Sequence, residues 1–174
     1  MRSGLPDSHR DGRSRAVPGN RDDASSRYGR AMKLEGWAAD YAAYLHDLGY
    51  APSLALTGLH ALDGARHLRA SGHERLAGLV AYHSGARGEA DLRGLTAELA
   101  DFEDEASATS MALTYCDMTI GAGGEVVTLA ERVADVERRY GHGHVVEQSV
   151  RRARPEVERC IEFVQGRLRE VAAS

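Results

Sequence analysis

Apolar residues along this chain recur at three- and four-residue steps in segment after segment, and nowhere alternate long enough to read as a strand. From about Arg30 to Leu48 the positions Met32, Leu34, Trp37, Ala38, Tyr41, Tyr44, Leu45 and Leu48 keep that step, the period of an amphipathic helix. Gly49 suits a left-handed position just beyond the helix, and Pro52 bars its continuation. Leu59 to Ala70 carries Leu59, Leu62, Ala65 and Leu68 on one stripe and stops at Gly72, and Glu74 to about His83 is short and strongly apolar. Asp91 to Ala100 reads as a fourth helix. Ser107 is placed to cap a fifth that runs to Asp117, and Thr128 with Glu131 makes a capping box that opens a sixth, ending at Tyr140. GAGGEVV is a turn with at most a brief extended piece. Val145 to Val171 makes one or two closing helices, with Pro155 marking an interruption. The spacing therefore predicts an all-α fold, a compact irregular helical bundle whose helices surround one pocket.

A chain of 174 residues has the length of one domain that buries a core without staples. Residues 1–27 are rich in Arg, Ser, Asp, Gly and Pro, show neither helical nor strand period, and read as disordered or irregular. The net charge of −4 argues against nucleic acid as the main partner. No apolar run reaches the length of a membrane span, and no apolar core follows the Arg-rich start as it would in a secretory signal. Cys116 and Cys160 lack CxxC spacing and read as reduced thiols. Cytoplasm, with no membrane partner, is the expected location.

Metal-type ligands are spaced through the apolar frame. The doublet His46-Asp47, then His60, His83 and Asp117, each stand at an end of a helical segment, in the frames AAYLHDLGY, TGLHALDGARHL, LAGLVAYHSGAR and ALTYCDMT. Imidazole and carboxylate are ligand types suited to Zn, Fe, Mn or Ni, and unpaired ionisable groups are costly to bury among aliphatic residues. Taken singly, each has a plainer reading. Asp47 beside Gly49 could accept loop hydrogen bonds, His60 and His83 could be core or rim histidines, and Asp117 could be a turn acceptor. Asp117 at a helix C-terminus nevertheless runs against the macrodipole, and the five together point to a metal centre.

His67 shares the face of His60 but lies two turns on, roughly 10 Å away, and falls outside the set. His73, His142 and His144 fall in loops and read as solvated. Cys116 reads as a packed thiol, because the adjacent carboxylate raises a thiol pKa rather than activating it. There is no G-x-S-x-G, no P-loop, no G-x-G-x-x-G after a strand and no paired-Cys zinc pattern.

The frames LHDLGYAP, HALDGARHLR, LVAYHSGAR and ALTYCDMT, in that order over about residues 37–141, resemble the HD-domain superfamily of metal-dependent phosphohydrolases, in particular its small bacterial members. The resemblance implies an HD-type helical domain over residues 28–174 that holds one or two divalent ions, drawn from Mn, Fe, Mg, Ni and Zn. By that resemblance His46 and Asp47 match the doublet and Asp117 the final aspartate. His60 and His83 match the extra pair of members that hold two ions, with Asp47 as bridge and catalytic residue. It implies hydrolysis of a phosphomonoester or phosphodiester, with a nucleotide as the expected substrate. Arg66 and Arg87, near His60 and His83 in sequence, are candidates to grip its phosphate. The first histidine of the pattern has no counterpart: residues 12–18 read GRSRAVP, and His9 is the only histidine upstream of the doublet. Two other functions therefore stand beside hydrolysis. One is a catalytically inactive HD-like module that binds nucleotides or regulates. The other is oxygen chemistry at a di-iron centre of similar ligands.

Overall fold

The computed structural model describes residues 36–121 and 123–173. The reading of residues 1–27 as irregular, His9, and the expected start of the first helix lie outside the described residues. Among the described residues the chain is all-α. It runs as α1 (Gly36–Leu45), a 3-10 turn (Leu48–Tyr50), α2 (His60–Ala70), α3 (Glu74–Ala81), a second 3-10 turn (His83–Gly85), α4 (Ala86–Arg93), α5 (Thr96–Ala100), α6 (Ala108–Thr119), α7 (Leu129–Tyr140) and α8 (Val145–Ala172). Extended pairing among these residues is confined to one bridge, Ile120 to Val126, in the glycine-rich turn. Among the described residues no helix is long and apolar enough to cross a membrane.

The largest buried cluster lies where α2 and α3 pack together, with Leu59, Leu62, Leu79 and Val80 fully buried and Ala38 and Ala42 of α1 against them. Burial of a Leu or Val side chain contributes about 1.5–3 kcal/mol, so this cluster anchors the helices that carry the histidines. Two smaller clusters seat α8. Ala112 and Tyr115 of α6 meet Val164, and Met118 meets Ala153 and Val157. α6 thus touches both halves of the bundle, and Asp117, in its last turn, looks onto the junction.

Several elements differ from the spacing-based reading. The first helix ends at Leu45, so His46-Asp47 sits in the turn after it rather than in its last helical turn. Gly49 is not in a left-handed conformation. It lies within the 3-10 turn, where a Cβ would stand 1.9 Å from the His60 carbonyl oxygen. Its role is close approach of two backbones. The segment 91–100 is not one helix: α4 begins earlier, at Ala86, and the chain breaks at Gly94 (φ 71°) before the short α5. α8 is one unbroken helix of 28 residues with Pro155 inside it. Pro155 and Arg151 are both exposed, so the Arg151 carbonyl that loses its proline-blocked partner faces water instead of an apolar interior. The capping predictions match the structure. The Ser107 side chain accepts from Thr109 and Ser110 N–H, and Thr128 and Glu131 form both halves of the capping box.

Candidate metal centre

Four separate stretches of backbone deliver the ligand-type side chains, and each is locked by a local device. After α1, the His46 N–H still bonds the Ala42 carbonyl, and the ring Nδ1 donates to the Ala43 carbonyl at 2.8 Å. A carbonyl can only accept, so Nδ1 carries the proton and Nε2 faces inward. Gly49 packs against the first turn of α2, which brings the doublet up to His60. The loop before α2 is tied down by buried Asp63. Its carboxylate accepts from Leu56 N–H at 2.9 Å, Thr57 N–H at 3.0 Å and the Thr57 hydroxyl at 2.9 Å. His83, 2% exposed, donates Nδ1–H to the Val80 carbonyl at 2.6 Å.

The turn after His83 is tighter than a helix allows. Ser84 adopts φ 52° and Gly85 φ 77°, and a Cβ at Gly85 would lie 2.1 Å from that of Ala153. A left-handed serine is strained. Here it is held by its N–H on the Thr114 hydroxyl at 3.1 Å and by its own hydroxyl on Asp117 Oδ2. That second bond fixes the rotation of the Asp117 carboxylate and leaves Oδ1 facing His46.

The five residues expected from sequence come together as two overlapping sets. In one, His60 Nε2 stands 3.2 Å from His83 Nε2 and 3.6 Å from Asp47 Oδ1, and the three donors lie within 4.8 Å of one another. In the other, His46 Nε2 is 3.3 Å from Asp47 Oδ2 and 3.6 Å from Asp117 Oδ1. Asp47 belongs to both sets and turns a different oxygen to each. Neighbouring ligands about 2.1 Å from one ion stand about 3.0–3.4 Å apart, so the His60–His83 and His60–Asp47 spacings are close to those of ligands that share a cation. Tyr50 stacks on His60 at 4.1 Å between ring centroids and fixes the plane of that imidazole.

Electrostatics agree with this division. Burial, then the neighbouring His83, pushes the pKa of His60 from 6.5 down to about 4. Burial likewise pushes His83 down. Both are therefore neutral at pH 7, the form that binds metals. Burial opposes the charge on His46, but hydrogen bonds and charge from Asp117 and Asp47 outweigh it and lift its pKa to about 10. Burial also opposes ionisation of Asp117, yet His46, His83 and Ser84 hold it well below the ordinary carboxylate range. Asp47 is lowered, first by its hydrogen bond to His46. The proton held on His46 between two carboxylates supplies the positive charge that a cation would bring to the same place.

The cluster opens into a cavity of about 200 Å³, and Asp47, His60, His83 and Asp117 all line it. Arg66 and Arg87 do not. Arg66 is exposed, and Arg87 pairs with Asp104 and lies over the Tyr82 ring at 4.5 Å. The arginines that do line the cavity are Arg132 and Arg139 of α7. Arg132 is 15% exposed. Its Nη2 donates to the carbonyls of Asp117 and Ile120, the latter at 2.6 Å, and its Nε is buried with no hydrogen-bond partner among the described residues. These residues carried one sequence signal, since Arg132, Val136 and Arg139 share the i, i+4, i+7 face of α7. Nothing in the spacing said which way that face turns.

No protein-family model matches this chain, and neither a curated protein nor a solved structure matches it.

Proposed function

We propose that this chain is a metal-dependent phosphohydrolase of the HD type, acting on a small phosphomonoester or phosphodiester, nucleotides among them. The observation that carries the reading is the single carboxylate of Asp47, which turns Oδ1 to His60 and Oδ2 to His46. A carboxylate shared between two donor sets is suited to bridging two cations. Asp47, His60 and His83 would hold one divalent ion, and His46 and Asp117 would complete a second set with Asp47. A bound divalent ion supplies an acidified water and charge stabilisation at phosphorus.

The chain's own residues do the rest. Ser84 orients Asp117, Val80 orients His83, and Tyr50 seats His60. Arg132 and Arg139 stand in the cavity wall, where a guanidinium can grip phosphate oxygens. In the overall step water adds to phosphorus as the ester P–O bond breaks. One water proton ends on the departing alcohol, and a phosphate carrying the water oxygen remains.

A second reading rests on the second ligand set, which holds one imidazole against two in the first, with no upstream histidine in residues 12–18. In that reading the fold is retained as an inactive nucleotide-binding module. Metal content and a phosphoester panel separate the two. The purified chain, incubated with Mn²⁺, should hold metal and turn over phosphoesters. Asp47→Ala should abolish both while leaving the helical circular dichroism intact, and turnover surviving in Asp47→Ala defeats the assignment.

A further inference from the structure

The cavity holds one buried carboxylate for which metal binding has no use. Glu89 of α4 lines the same cavity as Asp47, His60 and His83, with its side chain 9% exposed. Its two oxygens are used differently. Arg93, one helical turn on, directs both Nε and Nη2 to the same oxygen, Oε1, each at 2.7 Å. Oε2 makes no hydrogen bond to any described residue. Among the described residues the one buried side-chain polar atom without a partner is Arg132 Nε, so Glu89 Oε2 is open to the water of the cavity, and a ligand hydroxyl there can take the place of that water. Tyr50, which stacks on His60, and Tyr140 line the cavity with it, so the metal-type cluster and this acid face the same space.

The chemistry of the acceptor narrows the ligand. Arg93 compensates the charge of Glu89, so the site has little net charge to draw an ammonium. A second phosphate would meet lone pairs with no proton to offer. A neutral hydroxyl matches, as carboxylates elsewhere accept ribose hydroxyls.

We propose that the cavity selects phosphoesters whose alcohol portion carries a free hydroxyl, and that Glu89 Oε2 is the acceptor that recognises it. The proposal rests on the phosphohydrolase reading of the cluster. A sugar phosphate and a ribonucleotide share this chemistry, and both belong in the test.

The full chain, loaded with Mn²⁺, is assayed on ribose 5-phosphate against tetrahydrofurfuryl phosphate, which has the same ring and leaving group without the hydroxyls, and on a ribonucleoside 5′-monophosphate against its 2′,3′-dideoxy counterpart. Binding of the same compounds is followed by calorimetry. The hydroxylated member of a pair should be preferred, and Glu89→Gln or Glu89→Asp should shrink that preference about 10- to 100-fold, the scale of one charge-assisted hydrogen bond. Preference in the first pair alone identifies a sugar phosphate, and preference in both a ribonucleotide. Turnover of every compound with no preference, or a Glu89 variant that slows all equally, overturns the selection while hydrolysis stands. Glu89-dependent binding without turnover keeps the recognition and removes the hydrolase reading. Neither turnover nor Glu89-dependent binding removes both.

Discussion

His46 and His60 are neighbours in the same cluster, yet their surroundings drive them in opposite directions. His46 is held charged by two carboxylates, and His60 is held neutral by burial and a second imidazole. The consequence for stability follows by linkage. His46, raised from 6.5 to about 10, contributes stability that is fully present below pH 6.5 and is lost as pH rises towards 10. His60, lowered from 6.5 to about 4, is neutral in the folded protein while the unfolded chain takes up a proton. Its contribution is present above pH 6.5 and is lost as pH falls towards 4, and buried His83 acts in the same sense. Chelator-treated protein should therefore show its highest urea midpoint between about pH 6 and 7, with a decline on both sides. A midpoint that climbs steadily from pH 6 to pH 9 contradicts the charge assignment of His46.

At the scale of elements, two backbone positions make contrasting cases. Gly49 lets the turn after α1 lie against the start of α2, and a methyl there would meet the His60 carbonyl at 1.9 Å. Gly49→Ala is expected to cost about 1–3 kcal/mol, as overpacking does. Because the displaced residue is His60, it should also weaken Mn²⁺ binding, measured by calorimetry. A variant that loses stability yet binds the ion as before separates the turn from the metal site. Pro155 is the opposite case, a proline in the interior of a 28-residue helix on its exposed side. It removes one helical hydrogen bond without serving any contact at the site. Pro155→Ala should stabilise the protein by up to about 3 kcal/mol, read as a higher melting temperature.

Across the whole molecule, the cluster joins four segments: the turn after α1, the start of α2, the turn after α3 and the end of α6. A ligand that binds only when all four are in place stabilises the entire fold. At an ion concentration about 100 times its dissociation constant the gain is about 2.7 kcal/mol. Mn²⁺ should raise the melting temperature of chelator-treated protein by several degrees, and Asp47→Ala should remove the shift. An equal shift in that variant means that the ion binds elsewhere.

Much was legible without coordinates because helical order is local. The all-α class, the Ser107 cap and the Thr128–Glu131 box depend on residues within a few positions of one another. His46, Asp47, His60, His83 and Asp117 could be named because metal-type side chains stand out in an apolar frame. Arg132, Arg139 and Glu89 could not be placed, since charged residues on a helix look alike until the direction of each face is known, and Arg66 and Arg87 drew attention only by sequence proximity. That direction is set by long-range packing, Tyr115 against Val164 and Gly85 against Ala153, between residues dozens of positions apart. The sequence by itself determined the helices and the kinds of ligand. Only the tertiary structure decided that Asp47 faces two donor sets at once and that Glu89 looks into their cavity, because both depend on where separate helices cross.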